Sequence, residues 1–377
     1  MGITSRQLNR ATLARQLLLE REGADVVDAV RRVVALQVQE PASPYIALWS
    51  RLAEFDPSWL DDAFADRALV KATLMRITLH AVAGDEYTVF HQAMLPILRA
   101  SRLTDRRYTS TGLTADDADA ALAHVVDFAT QPKTQDEIMA MLTERLGAAA
   151  EPRLWWALRT YAPLLHAPTG GSWSFGRDKA FEAGPAVPQR TSNGQALERL
   201  IWRYLEGFGP ASTRDFAQFS LQRQAEIRPA LDAMADRLTM VEGPDGEQLF
   251  DIPHGVVPPD DTPAPPRLLA MWDSILLAYR DRSRVIPEEY RAAVIRRNGD
   301  VLPTVLVDGY VCGVWRYSDK GIEVRAFRTL SSEAWDGIAH EAESLGGLIA
   351  TRDPATYRRY ARWWMKLPDD GEARTIG

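Results

Sequence analysis

The chain has 377 residues, 46% of them apolar and 25% charged, with a net charge of −7, the composition of an ordinary globular protein long enough for two to four packed units. A single cysteine, Cys312, excludes an intrachain disulfide framework and any cysteine-built zinc cluster, and no apolar run approaches the roughly 18 residues of a membrane span. The acidic balance argues against nucleic acid as a partner, but the arginines cluster at Arg99, Arg102, Arg106 and Arg107, at Arg280, Arg282 and Arg284, and at Arg352, Arg358, Arg359 and Arg362, so their distribution counts for more than the sum.

Thr4 or Ser5 caps a first helix reaching about residue 20. It is amphipathic and carries Arg6, Arg10 and Arg15, unlike a signal peptide, so a cytoplasmic protein is expected. Asp25 caps a second helix with Val26, Val30, Val33 and Val34 on its buried face. This helix is expected to run into Gln37-Val38-Gln39-Glu40-Pro41, where proline ends it. The result is a Gln-apolar-Gln pair beside a helix terminus. On a helix two such side chains point apart; in an extended turn they point the same way. Two converging neutral amides suit a water or a polar ligand, not a proton transfer. Helices at 45–53 and 57–65, strands at 68–76 and 77–82 and a long helix at 85–103 follow, the outline of a winged helix.

The same outline recurs twice. Helices at 122–128, 134–146 and 152–161 precede a hairpin at 164–175 with a Gly170-Gly171 tip, and helices at 197–206, from Thr213, and at 224–235 precede a hairpin at 238–250. The stretch 253–266, with six prolines, is a linker. Strands are expected at 268–279, 301–307, 309–317 and 321–327, turned at Asp308-Gly309 and 319–321, with a helix at 331–345 across them and a basic aromatic helix at 357–366. The fold class is therefore mainly α with α+β: three tandem winged-helix domains at 1–112, 113–190 and 191–256, followed by a small C-terminal β-barrel at 267–377.

Candidate chemistry is sparse. The six histidines are scattered, so neither a metal nor a cofactor is expected. Gly170-Gly171 lacks the strand-to-helix setting of a phosphate loop, and Cys312 fits plain core. His80 is read first as a packed strand residue, with the alternative that it faces the same cleft as Gln37. Trp155-Trp156 and Trp363-Trp364 are more often core than base-stacking platforms. Three winged units without a dimerisation coiled coil point to a monomer wrapping one stretch of duplex DNA, whether as an enzyme or as a non-catalytic DNA-binding regulator. Protein scaffolding is the third possibility.

Several segments carry a resemblance: 36–41 with its Gln-x-Gln, Leu74-Met75-Arg76-Ile77-Thr78-Leu79-His80, and the stretches 273–284 and 307–316. On these, and on element order over nearly the whole chain, the sequence resembles the winged-helix DNA glycosylase family typified by AlkZ. Ile77 departs from the pattern, standing where glycine is expected in many relatives. The resemblance implies a monofunctional glycosylase releasing N7-alkylated purines from duplex DNA, interstrand crosslinks included, often in self-resistance. It makes Gln37 and Gln39 the catalytic pair, and His80, Arg76, Arg102, Arg106 and Arg107 candidates for contacting DNA.

Overall fold

The computed structural model describes residues 2–147, 152–176, 178–185, 192–367 and 371–377; the expected domain boundary at 190/191 lies outside them. Thr4 caps α1 (Ser5–Arg15) through a capping box with Gln7, and Asp25 caps α2 (Val26–Arg32) by accepting from Val27 and Asp28 N–H. Here the chain departs from expectation. The second helix stops at Arg32, Val34 takes φ +75°, and Leu36–Gln37 is a short strand, β1, rather than a helix end. Residues 33–38 are buried on every side, and such a run carries no period to separate helix from strand.

The first unit continues with α3 (Ser43–Trp49), α4 (Pro57–Ala65), β2 (Leu69–Thr73), β3 (Leu79–Ala83) and α5 (Gly84–Leu103), then a short α6 (Arg106–Thr109). The second contains α7 (Ala115–Phe128), β4 (Lys133–Thr134), α8 (Gln135–Leu146), α9 (Pro152–Tyr161), β5 (Leu164–Ala167) and β6 (Ala180–Ala183). The third contains α10 (Asn193–Phe208), α11 (Thr213–Ser220), α12 (Gln224–Ala233) and the hairpin β7 (Thr239–Glu242) and β8 (Gln248–Asp251). The repeat persists in the caps. Thr134 with Glu137 and Ser212 with Asp215 form capping boxes at α8 and α11.

The second hairpin differs from expectation. Its return strand is β6, and the segment expected to pair, 173–175, lies in a long connection. Trp173 and Phe175 instead fill the first unit's core, against Tyr45 (ring centroids 5.0 Å apart) and Phe64 (4.9 Å). Their large apolar surface outweighs the local pairing preference. The two units also share one six-stranded sheet, ordered β1-β3-β2-β5-β6-β4, through the Lys71–His166 pairing of β2 with β5.

The proline-rich stretch is strapped down. Arg6 donates to Asp260 O (2.7 Å), Arg10 to Thr262 O (2.7 Å) and Arg15 to Val256 O (3.1 Å). Beyond it comes β9 (Arg267–Leu268), and the strand expected over 268–279 ends there. Asp273 turns the chain by accepting from Ile275 N–H, and it forms a fully buried bidentate pair with Arg51 (2.8 and 2.9 Å). After α13 (Arg291–Val294), the strands β10 (Thr304–Val307), β11 (Tyr310–Ser318), β12 (Gly321–Ala326) and β13 (Ala373–Ile376) complete a five-stranded antiparallel sheet, ordered β13-β12-β11-β10-β9. No pairing closes its two edges into a barrel among the described residues. The long helix α14 (Ser332–Arg352) packs on β9 and β12, and the basic tail is a 3-10 turn leading into α15 (Ala361–Trp364). Gly309, at φ +79°, makes the β10–β11 turn; a Cβ there would meet Asn9 Oδ1 at 2.5 Å, so α1 can sit on the turn only if the residue is glycine.

Candidate active site

β1 carries Gln37 into register with His80 of β3, so their side chains are neighbours on one face of the sheet. Both are buried, at 5% and 1% exposure. The β2–β3 connection is a tight 3-10 turn in which Arg76 and Ile77 take φ +52° and +57°. The left-handed backbone at Ile77 is the physical reason glycine suits that position. This turn directs Arg76 back over the strands. Its Nη2 donates to Gln37 Oε1 (2.9 Å) and to His80 Nε2 (3.2 Å), while Nη1 donates to Phe219 O of α11 (3.4 Å).

That arrangement assigns the histidine tautomer. A guanidinium has only donors, so Nε2 must accept and Nδ1 carries the proton, which goes to Thr78 O (3.0 Å). Burial, reinforced by the nearby Arg76 charge, pushes the imidazole down to about 3, so it is neutral at physiological pH. Arg76 is itself pushed down to about 10, by burial and then by Arg282, and stays a cation. Gln37 is thus held by a charged donor on its side-chain carbonyl oxygen, and that is its one side-chain hydrogen bond among the described residues. Its NH2 group makes no hydrogen bond among the described residues.

Gln39 lies on the other side. Past β1, Val38 N–H donates to Leu79 O (2.8 Å) and the chain bends, leaving Gln39 exposed in the wall of an open cleft of about 630 Å³. Lys71, Leu79, His166, Lys179 and Arg359 line the same cleft. No hydrogen bond joins the two glutamine side chains among the described residues. Glu40 is clamped from the tail by Arg359 and by Tyr360 Oη (2.8 Å).

The other arginines fall elsewhere. Arg102 and Arg107 stack over Trp156 at 4.7 and 4.6 Å; Arg102 donates to Thr160 Oγ1 and Arg107 is paired with Asp105, while Arg106 is exposed. Of the tail arginines, Arg352, Arg358, Arg359 and Arg362 each have a carboxylate partner. Sequence reasoning missed Phe219 as an anchor for Arg76, and it missed Lys71. The latter had a signal: it is the one charge inside the apolar strand Leu69–Thr73.

The model of the family described as "DNA glycosylase AlkZ-like" matches residues 30–348. An interstrand DNA cross-link repair glycosylase of Streptomyces sahachiroi is 26% identical over 354 residues, covering 87% of this chain and 91% of that protein. The solved structure of the Streptomyces sahachiroi DNA glycosylase AlkZ superposes with a TM-score of 0.76 at 25% identity, over 91% of this chain and 95% of that one.

Proposed function

The chain belongs to the AlkZ-like DNA glycosylase family, and from that premise we propose that this glycosylase hydrolyses the N-glycosidic bond of N7-alkylated purines in duplex DNA and unhooks interstrand crosslinks. The cross-link repair activity named for the Streptomyces relative supports this, and so does the chemistry of the site. An N7-alkylguanine is a cation whose glycosidic bond is already weakened, so the departing base needs no proton. The enzyme has to hold a water at C1′ and stabilise the sugar cation as it forms. Neutral amides do both through dipoles and hydrogen bonds.

The observation that carries the reading is the Arg76-locked Gln37 with exposed Gln39 two residues on. In this reading the duplex lies along the cleft with Gln39 at the lesion, and Gln37, on the other face of the edge strand β1, acts at the sheet's edge. A crosslinked base is tethered to the opposite strand and cannot rotate into a closed pocket; an open cleft suits it. We read the three helix-and-hairpin units as winged helices and the protein as a monomer along one duplex, with Arg102, Arg106 and Arg107 meeting phosphates.

Release of free N7-methylguanine from methylated duplex tests the assignment. Gln37→Ala and Gln39→Ala should each slow release on the order of 10²-fold, as loss of one preorganised polar group does. Equal rates in wild type and the double variant would remove the glutamines from the chemistry. Duplex binding by wild type without any base release would instead describe a non-catalytic DNA-binding protein.

A further inference from the structure

A glutamine such as Gln39 can hold a water but does not accept its proton near neutral pH, and of the two amines that line its cleft without an acidic partner among the described residues, Lys71 is buried and Lys179 is exposed. Lys71 projects from β2, in register with Ala81 of β3 and His166 of β5. It is 6% exposed, lines the cleft with Gln39, and has Leu79 of the intervening strand on the same wall. Its Nζ rests 4.1 Å from the centre of the Phe175 ring and makes no hydrogen bond or ion pair among the described residues.

We propose that Lys71 is the general base of the hydrolysis, taking the proton of the water that attacks C1′ from the cleft. The water oxygen forms the bond to C1′ as the C1′–N9 bond breaks, its electron pair going to N9. The cationic guanine leaves neutral, and the water's proton moves to Nζ, which becomes an ammonium and later returns the proton to solvent. One positive charge is lost at the base and one appears at the amine. The inference rests on the placement of DNA at this cleft proposed above.

The surroundings suit that role. Burial, and then the Lys179 charge, push the Lys71 amine down to about 7, where a base is most effective at neutral pH. The groups around it do not supply a counter-charge. His166, directly across, is held neutral by burial, chiefly, and by Lys71. Glu40 is occupied by Arg359 and Tyr360, Asp61 of α4 by Tyr45, Ser174 and Arg352, and Asp85 and Glu86 of α5 by Arg31 and Arg203. Asp178, Lys179 and Asp353 also line the cleft, and Lys71 makes no ion pair with either carboxylate among the described residues.

Single-turnover release of N7-methylguanine from methylated duplex, measured from about pH 5.5 to 9 and corrected for spontaneous loss, tests the proposal. Wild type should gain about tenfold per pH unit below about 7 and level off above it. Lys71→Met, which keeps the bulk and removes the amine, should lose that rise and on the order of 10²-fold at the plateau. Lys71→Arg, a permanent cation, should fail to rescue. A lysine that merely contacted phosphate would behave oppositely, because falling pH would charge it and strengthen binding; duplex affinity across the same range separates the two. A flat wild-type profile, or full rate in Lys71→Arg, overturns the Lys71 assignment and leaves the glycosylase reading standing. Wild type that releases no base at any pH overturns that reading, and this one with it. Thermal melts establish that the variants are folded, and if Lys71→Met is not, Lys71→Arg and the wild-type profile still decide.

Discussion

Gln37 is positioned by a residue whose own position is set by two others. The His80 tautomer makes Nε2 an acceptor, Phe219 supplies a carbonyl from α11, and Arg76 spans them to reach Gln37. Arginine at 76 was expected to touch DNA; its two Nη groups donate inside the protein, and we read it as a positioning residue. Lysine cannot bridge two acceptors with the geometry of a planar fork. Arg76→Lys should therefore slow base release by about tenfold or more while leaving duplex affinity and its salt dependence unchanged. A salt slope reduced by about one would instead place Arg76 on a phosphate. The glutamines were legible from their spacing and from the family resemblance. Their partners were not, because 37, 76, 80 and 219 meet only through strand pairing and helix packing.

At the scale of elements, period and caps served well where one face meets water. α4 (Pro57–Ala65) and α5 (Gly84–Leu103) lie at or within a residue of expectation, and Asp25 caps α2 as expected. They failed where a segment is buried on all sides. Leu36–Gln37 is a strand where a helix end was expected, and most of 268–279 is irregular backbone where a strand was expected. Alternation is lost in both, and the outcome is set by what each meets. In the second segment this is Arg51, whose ion pair with Asp273 is wholly excluded from water. Asp273→Ala leaves that guanidinium charged and unpaired, and it should destabilise the protein by about 3–5 kcal/mol in urea titration. A loss under about 1 kcal/mol would mean that water reaches the site.

Over the whole molecule the expected tandem units are stitched together. One apolar core joins the first unit to the C-terminal sheet, and a second runs through α5, α9 and α10. Buried Arg15 ties α1 to Asp251 of β8 (2.6 and 2.7 Å), and buried Arg10 ties it to the Asp308 turn. Buried histidines make this assembly sensitive to acid. His80 and His91 are pushed down to about 3 and about 4, chiefly by burial, from an unfolded value near 6.5. The folded protein holds them neutral, so their stabilisation is complete above about pH 6.5 and is lost as pH falls toward those values. Each should remove about 1.4 kcal/mol per pH unit in that window. Urea titrations at about pH 7.5 and pH 5 check this, and equal free energies would show that the two imidazoles are not held neutral.

The sequence by itself determined the order of helices and hairpins, their caps, the repeat of the outline and the glutamine pair, because each is written in residues a few positions apart. It also carried the family, through short motifs spread along the chain. Only the tertiary structure decided that β1 is a strand, that the first two hairpins share a sheet, that α1 and the proline-rich stretch are one packed unit, and that Lys71 and Gln39 line one cleft while Gln37 is locked beneath Arg76. Those features depend on which buried surfaces and charges meet across tens or hundreds of residues, and local periodicity holds no record of such meetings.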